Sequence, residues 1–263
     1  FLKKKYQNKN IKIYNNYDCF KKIIKEKLDY VMSSIVGLEG LEPTFEIIKF
    51  TKKIAVANKE SLICAWNLIN KELKKNNTEF IPVDSEHFSI WFGIRNLKHN
   101  VEKIIITASG GPFLNLSLSK FKNINRSQAL NHPNWKMGKK ITIDSATMMN
   151  KVFEVIEAKK IFKLSYNKIS ILTHPKSYVH AIVKFNNGLT KILVHEPNMK
   201  IPIYNSIYNL EDIKFNSKNL DFRILNNLEF NKVDIKKFPL VKILKKLPEH
   251  NSLYETALVV IND

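Results

Sequence analysis

Cysteine is nearly absent. The chain carries only Cys19 and Cys64 and no CxxC pair, which excludes a disulfide scaffold and a cysteine zinc site and fits a reducing compartment. Long apolar runs are missing as well: nothing approaches the ~20 uninterrupted apolar residues of a membrane-spanning helix. Glycine is sparse, at seven residues, and no GxGxxG fingerprint occurs; Gly37 and Gly40 alone do not make a dinucleotide site. Acidic residues are outnumbered, 24 against 43 Lys and Arg, for a formal net charge of +19. The lysines are spread along the whole chain beside Asn and Ile instead of being gathered in one arm or helix. The excess therefore reads as a compositional bias with lysine on solvated faces, not as a nucleic-acid footprint. A basic chain also attracts phosphorylated metabolites. The sequence starts at Phe1 and not Met, and stops inside the apolar run ALVVIND, so it reads as a piece of a longer protein. A leader upstream of Phe1 stays open.

What is present is a series of short apolar segments alternating with helical ones. Residues 1–17 are polar and basic, with an apolar alternation around Ile11 to Tyr14, and Phe20, Ile23, Ile24 and Leu28 have helical spacing. The spacing then predicts a strand over Tyr30–Val36, a helix opened by Pro43 and ending near Phe50, a strand over Lys53–Ala57, a helix over Glu60–Lys75 and a strand over Phe80–Val83. Strand and helix alternating at this spacing argue a parallel sheet of βαβ units. Ligands bind at the carboxyl ends of such strands, here SIVGLEG, ANKES and VDSEH. Further strands are expected at Ile104–Thr107, Lys140–Ile143 and Ile169–Leu172, and a hairpin at Val179–Phe185 and Thr190–His195 around Asn186-Asn187-Gly188. Residues 209–238 read as a linker, Pro239–Leu247 as a short helix, and Ser252 opens another helix.

Four stretches carry chemistry. In Asp144–Glu157, apolar groups cover most of the circumference of an expected helix capped by Asp144 or Ser145, so the helix is buried. Asn150, Lys151 and Glu154 nevertheless sit inside it and need partners there. Two readings stand side by side: an internal Lys–Glu pair, or a site where Ser145 and the helix N-terminus take an anion, Lys151 adds charge and Glu154 faces a metal or a reacting atom. In VDSEH, Asp84 and Glu86 share a face if the backbone is extended and would then suit Mg²⁺ or Mn²⁺; alternatively they are acids in the first turn of a helix. Ser109-Gly110-Gly111 after a strand is an anion nest or a plain turn. The loop His132-Pro133-Asn134-Trp135-Lys136-Met137-Gly138 suggests a lid.

Taken together and in order, ANKES, PVDSEH, ASGGPF, HPNWKMGKKITIDSATMMNK and EPNMKIPI resemble the 1-deoxy-D-xylulose 5-phosphate reductoisomerase family. The resemblance runs from about Tyr30 to Asp263. It implies an α/β fold: the C-terminal part of a truncated Rossmann-like NADPH domain over 1–83, and an α/β catalytic domain with a mixed sheet and a flap near 132–138 over 84–208. A linker over 209–238 and the start of a helical domain over 239–263 would follow. It implies rearrangement and NADPH-dependent reduction of the phosphorylated ketose with Mg²⁺, Mn²⁺ or Co²⁺, in a homodimer without nucleic-acid or membrane partners. The compartment implied is the bacterial cytoplasm, with a plastid-type organelle left open. Carried over residue by residue, the metal ligands are Asp84, Glu86 and Glu154, and catalysis also involves Lys59 and His132. The substrate phosphate is held by Ser109, Ser145, Asn150 and Lys151 with His132 beside it. Lys59 and Ser85 contact the substrate backbone, Trp135 and Met137 cover it, and Asn58, Glu60 and Gly138 touch NADPH. The family's Gly-Ser-Thr-Gly-Ser-Ile-Gly phosphate loop is expected before Phe1. Val152-Phe153 stands where Gly-Leu is usual, Phe88 and Trp91-Phe92 replace smaller or polar residues, and ALVVIND replaces Asn-Ala-Ala-Asn-Glu. The alternative reading is a catalytically incomplete fragment or a basic binding module without enzymatic activity.

Overall fold

The structure is a computed structural model and describes residues 13–14, 17–97, 99–208, 213–217 and 221–263. Ile11 and Lys12 of the expected alternation lie outside these, as do 209–212 and 218–220 of the expected linker. The first sheet is all parallel. Strand β1 (Leu28–Ser33) leads through helix α1 (Leu41–Ile47) to β2 (Thr51–Val56), and helix α2 (Lys59–Lys75) returns to β3 (Glu79–Pro82), in the order β1-β2-β3. Ile54, Ala55 and Val56 of β2 are all buried. A central parallel strand is covered on both faces and so reads as a continuous apolar run.

Helix α3 (Ser85–Ile94) leads to β4 (Val101–Ala108) at the centre of the second sheet. Two helices follow, α4 (Lys139–Ala146) and α5 (Met149–Phe162), and then β5 (Ile169–Thr173), β6 (Val179–Phe185) and β7 (Thr190–Val194). Helix α6 (Lys200–Ile207), the two-residue strand β8 (Asn231–Lys232) and helix α7 (Ser252–Asn262) complete the set used below. The sheet order is β7-β6-β4-β5-β8, with β4 and β5 parallel and the other pairs antiparallel. The stretch read as a linker therefore supplies an edge strand, β8, to β5. Among the described residues no helix is long and apolar enough to cross a membrane.

Helix α5 is apolar on nearly every side because it is wedged between layers. Val155 and Ala158 pack with Ile104 and Ile106 of β4. Met149, Val152, Phe153 and Ile156 pack with Ile63 of α2 and Val259 of α7. This core joins the first sheet's helix to the second sheet. It also brings the carboxyl ends of β2, β3 and β4 to one place, so that Lys59, Asp84 and Ser109, the residues that follow those ends, line a common cavity.

Helix α7 is pinned to α5 by charge. The Glu255 carboxylate is 1% exposed and pairs with Lys159 at 2.9 Å and Lys160 at 2.5 Å, and it accepts from the Tyr166 hydroxyl at 2.5 Å. Burial works against its charge, but Lys160, Tyr166 and Lys159 outweigh this and hold it below the usual carboxylate range. A depressed acid contributes stability that is present above its unfolded pKa and lost as pH falls through the folded one. Glu255→Gln leaves two lysines facing a neutral amide and should lower stability at pH 7 by about 2–4 kcal/mol, with the gap closing in acid. Thermal melts of both proteins across pH check this.

Candidate active site

Asp84 follows β3 as the residue before α3, but its side chain makes no cap bond. It turns inward to Lys59, whose Nζ lies 3.0 Å from Asp84 Oδ2 and 3.7 Å from Glu154 Oε1. Glu86, in the first turn of α3, accepts from Ser85 Oγ at 2.7 Å. Of the two backbone readings for Asp84 and Glu86, the helix start is the one observed, and the acids meet through the turn of α3. Glu154 comes from α5. Lys151 sits between Glu86 and Glu154, at 2.5 and 2.6 Å. Asn150 donates to Glu154 Oε1 and accepts from Lys59 Nζ. Three carboxylates and two ammonium groups are therefore packed together, with Glu154 1% and both lysines 8% exposed.

Each charge shifts its neighbours. Burial and the nearby Glu86 push the Glu154 carboxyl up to about 8, against the pull of Lys151 and Lys59. Burial opposes the charge on Lys59 and Lys151, yet the acids around them raise both above the ordinary lysine range. For Asp84 burial is again unfavourable, and Lys59 prevails to hold it well below the usual range. One oxygen each from Asp84, Glu86 and Glu154 lie within 4.8 Å of one another. Two oxygens on one Mg²⁺ are at most about 4.2 Å apart, so side-chain adjustment alone closes this all-oxygen set on a hard divalent cation. The donor set fits such an ion.

The helix expected from Asp144 onward is in fact two helices, and the expected strand at Lys140–Ile143 is the start of the first. Thr147 Oγ1 donates back to the carbonyls of Ile143 and Asp144, competing with the helical ladder, and Met148 turns left-handed at φ 64°. Ser145 therefore lies in the last turn of α4, not at a helix N-terminus, and the expected helix-dipole site for an anion is not there. Ser145 reaches the cavity by a different route. Gly111, at φ +62°, packs so closely on α4 that a Cβ would meet Ser145 O at 3.1 Å and Ala146 Cα at 3.2 Å. This brings the Ser109 turn and Ser145 to the same cavity. Gly111→Ala should cost about 1–2 kcal/mol and is checked by chemical denaturation.

Across the cavity stands the 132–138 loop. His132 Nδ1 accepts from the backbone N–H of Asn134 at 3.1 Å and of Trp135 at 3.0 Å. In the neutral ring the proton is then on Nε2, 3.1 Å from Ser109 Oγ. Burial and the charge of Lys151 hold His132 below the ordinary histidine range. Trp135 and Met137 line the same cavity, which has a volume of about 220 Å³.

Family profiles match three parts of the chain: "1-deoxy-D-xylulose 5-phosphate reductoisomerase" at residues 1–66, and the C-terminal domains of the same enzyme at 80–162 and 194–263. The 1-deoxy-D-xylulose 5-phosphate reductoisomerase of Pelagibacter ubique is 62% identical over 98% of this chain and 67% of its own length. The chain belongs to the 1-deoxy-D-xylulose 5-phosphate reductoisomerase family. The Sulfurihydrogenibium reductoisomerase is 41% identical over 97% of this chain and 67% of its own. A crystal structure of a reductoisomerase in complex with NADPH, fosmidomycin and magnesium superposes with a TM-score of 0.84 at 35% identity, covering 93% of this chain and 64% of that one. The Zymomonas mobilis reductoisomerase with NADPH gives 0.81 at 33% identity, over 93% and 64%. The chain thus spans about two thirds of the length of the relatives it matches. The α/β class with one parallel and one mixed sheet is that of these reductoisomerase structures.

Of the reductoisomerase residues expected from the sequence, Lys59, Asp84, Ser85, Glu86, Ser109, His132, Trp135, Met137, Ser145, Asn150, Lys151 and Glu154 line the one cavity. Asn58, Glu60 and Gly138 do not. The Asn58 side chain caps α2 through Ser61 N at 2.6 Å and donates to the carbonyls of Ile35 and Gly37 beyond β1. Glu60 lies 3.7 Å from Lys140, and Gly138 has open space where a Cβ would be. Two histidines escaped the sequence reading. His180 lines the cavity, and His87 sits behind the acids with Nε2 2.9 Å from Glu154 O. The third position after Asp84 in a helix start would have pointed to His87; β6 is buried on both faces, so no alternation singles out His180.

Proposed function

We propose that this chain carries the catalytic site of an NADPH- and divalent-metal-dependent enzyme that converts 1-deoxy-D-xylulose 5-phosphate to 2-C-methyl-D-erythritol 4-phosphate for non-mevalonate isoprenoid synthesis. The convergence of Asp84, Glu86 and Glu154 with Lys59 and Lys151 beneath His132, Trp135 and Met137 carries this reading. Asp84, Glu86 and Glu154 would hold Mg²⁺, Mn²⁺ or Co²⁺, which when bound supplies Lewis-acid polarisation of the ketose oxygens. NADPH supplies the hydride for the reduction, with Asn58, Glu60 and Gly138 on its side of the site. Asn58 acts there by holding the loop after β1 in place.

Lys151 cannot serve two masters. A cation held by Asp84, Glu86 and Glu154 would compete with its ammonium for the same carboxylates, and the long side chain would then be free to turn towards Ser109, Ser145 and Asn150. Those three donors and one cation suit a phosphate dianion. His132 donates from Nε2 at the same wall. Lys59 and Ser85 orient the carbon chain, while Trp135 and Met137 shut out water and so strengthen each charged contact. The domain division at about residue 83, the homodimer and a bacterial cytoplasmic setting belong to the same proposal.

The test is turnover of 1-deoxy-D-xylulose 5-phosphate by the full-length enzyme, followed as NADPH oxidation. Activity should vanish in EDTA and return with Mg²⁺ or Mn²⁺. NADPH oxidation that is indifferent to chelation, or none under any metal, contradicts the proposal.

A further inference from the structure

We propose that Asn134 is a positioning residue that latches the 132–138 flap to the turn between β5 and β6, and so sets the closed height of Trp135 and Met137; its kinetic consequence rests on the function proposed above. Its side-chain amide has two N–H donors, and both are used: Nδ2 donates to Pro175 O at 2.6 Å and to Ser177 Oγ at 2.9 Å. Asn134 itself is exposed, so these bonds are not a by-product of core packing.

The turn that receives them is built as a fixed post. His174 N donates to Ala108 O at 2.7 Å, and Ser177 N donates to His174 O at 3.0 Å. The His174 ring is 0% exposed; it donates from Nδ1 to Glu229 O at 2.8 Å and accepts from Tyr178 N at 3.2 Å. Ser177 is held left-handed at φ +58°, a conformation uncommon outside glycine, and is 6% exposed. Ser177 also lines the cavity.

The latch therefore closes a ring. Asn134 is fastened through Ser177 and His174 to Ala108, the last residue of β4. The next residue, Ser109, is fastened to His132, two residues before Asn134 on the flap. Trp135 follows Asn134 directly in the chain, and its ring meets His180 edge to face with the centroids 6.1 Å apart. With the Asn134 grip gone, the flap would keep only the His132–Ser109 bond and the Trp135–His180 contact, and the open population would rise.

The experiment compares Asn134→Ala, Ser177→Ala and the double variant in the full chain by three readouts. These are the rate of tryptic cleavage after Lys136 followed by mass spectrometry, the melting midpoint, and KM with kcat. Asn134→Ala should speed cleavage after Lys136 and raise KM, each about tenfold, with the melting midpoint and kcat little changed. Ser177→Ala, which leaves the Pro175 carbonyl in place, should do less, and the double variant should not exceed Asn134→Ala. Cleavage and KM at wild-type values overturn the latch, as does a fall in melting midpoint in step with them, because the residue is then merely structural. Cleavage is read without substrate. An inactive wild-type enzyme therefore counts against the proposed function alone, and the cleavage rates still decide the latch.

Discussion

Glu154→Gln is expected to lower turnover of the full-length enzyme on the order of a thousandfold, the scale of losing a Lewis acid worth several kcal/mol. The fold should survive. Gln keeps the shape, can still accept through its one oxygen from either Lys151 or Asn150, and leaves Lys151 paired with Glu86. Its effect on stability has a definite sign. The Glu154 carboxyl is raised from 4.5 to about 8 by burial and by Glu86. A raised acid favours the fold below its unfolded pKa, and that contribution is lost as pH rises through the folded value. Above pH 8 in EDTA the native protein holds an ionised Glu154 at a cost that Gln does not bear, so the variant should melt no lower than wild type. Wild-type turnover in Glu154→Gln contradicts the site, and a large fall in its melting temperature contradicts the charge reading.

Lys151→Ala should show two separable losses. In EDTA it should lose about 3–5 kcal/mol of stability, because Glu86 and Glu154, 10% and 1% exposed, then face each other with one counter-charge removed. Added Mg²⁺ or Mn²⁺ should restore this variant more than it stabilises wild type. Substrate affinity should fall roughly ten- to a hundredfold even with metal saturating, since a charge-assisted bond to phosphate is gone. NADPH affinity should barely change. Denaturation with and without metal and substrate titration measure the two losses. Lost stability that no divalent metal restores, with unaltered substrate affinity, would reduce Lys151 to an internal partner of Glu154.

The βαβ start was legible because each of its strands is a short apolar run bounded by Gly, Pro or charge, and burial on both faces enforces that composition at β2. The burial of α5 was legible for the same reason. The break before it was not. Ile143, Asp144 and Ser145 suit several conformations, and what decides between them is Thr147 turning on its own helix and Gly111 packing against Ser145, a contact 34 residues away in the chain. Residues 231–232 read as linker because a two-residue edge strand leaves no pattern. The acids at 84 and 86 were visible as cation ligands or as first-turn acids of a helix, and Glu154 as a buried acid in need of a partner. The Lys151–Glu154 pair was legible from helix spacing; that Glu86 and Lys59 join it depends on how α2, α3 and α5 meet, which no local spacing records. Asn134 passed unnoticed beside the more conspicuous His132 and Trp135.

Titration with Mn²⁺, followed by loss of the free ion's electron paramagnetic resonance signal, tests the central claim that Asp84, Glu86 and Glu154 share one divalent cation in place of a lysine. Wild type should bind one ion per chain, Asp84→Asn and Glu154→Gln should bind far more weakly, and Lys151→Ala should bind more tightly than wild type because no ammonium competes for the same oxygens. Equal Mn²⁺ affinity in all four proteins would contradict it.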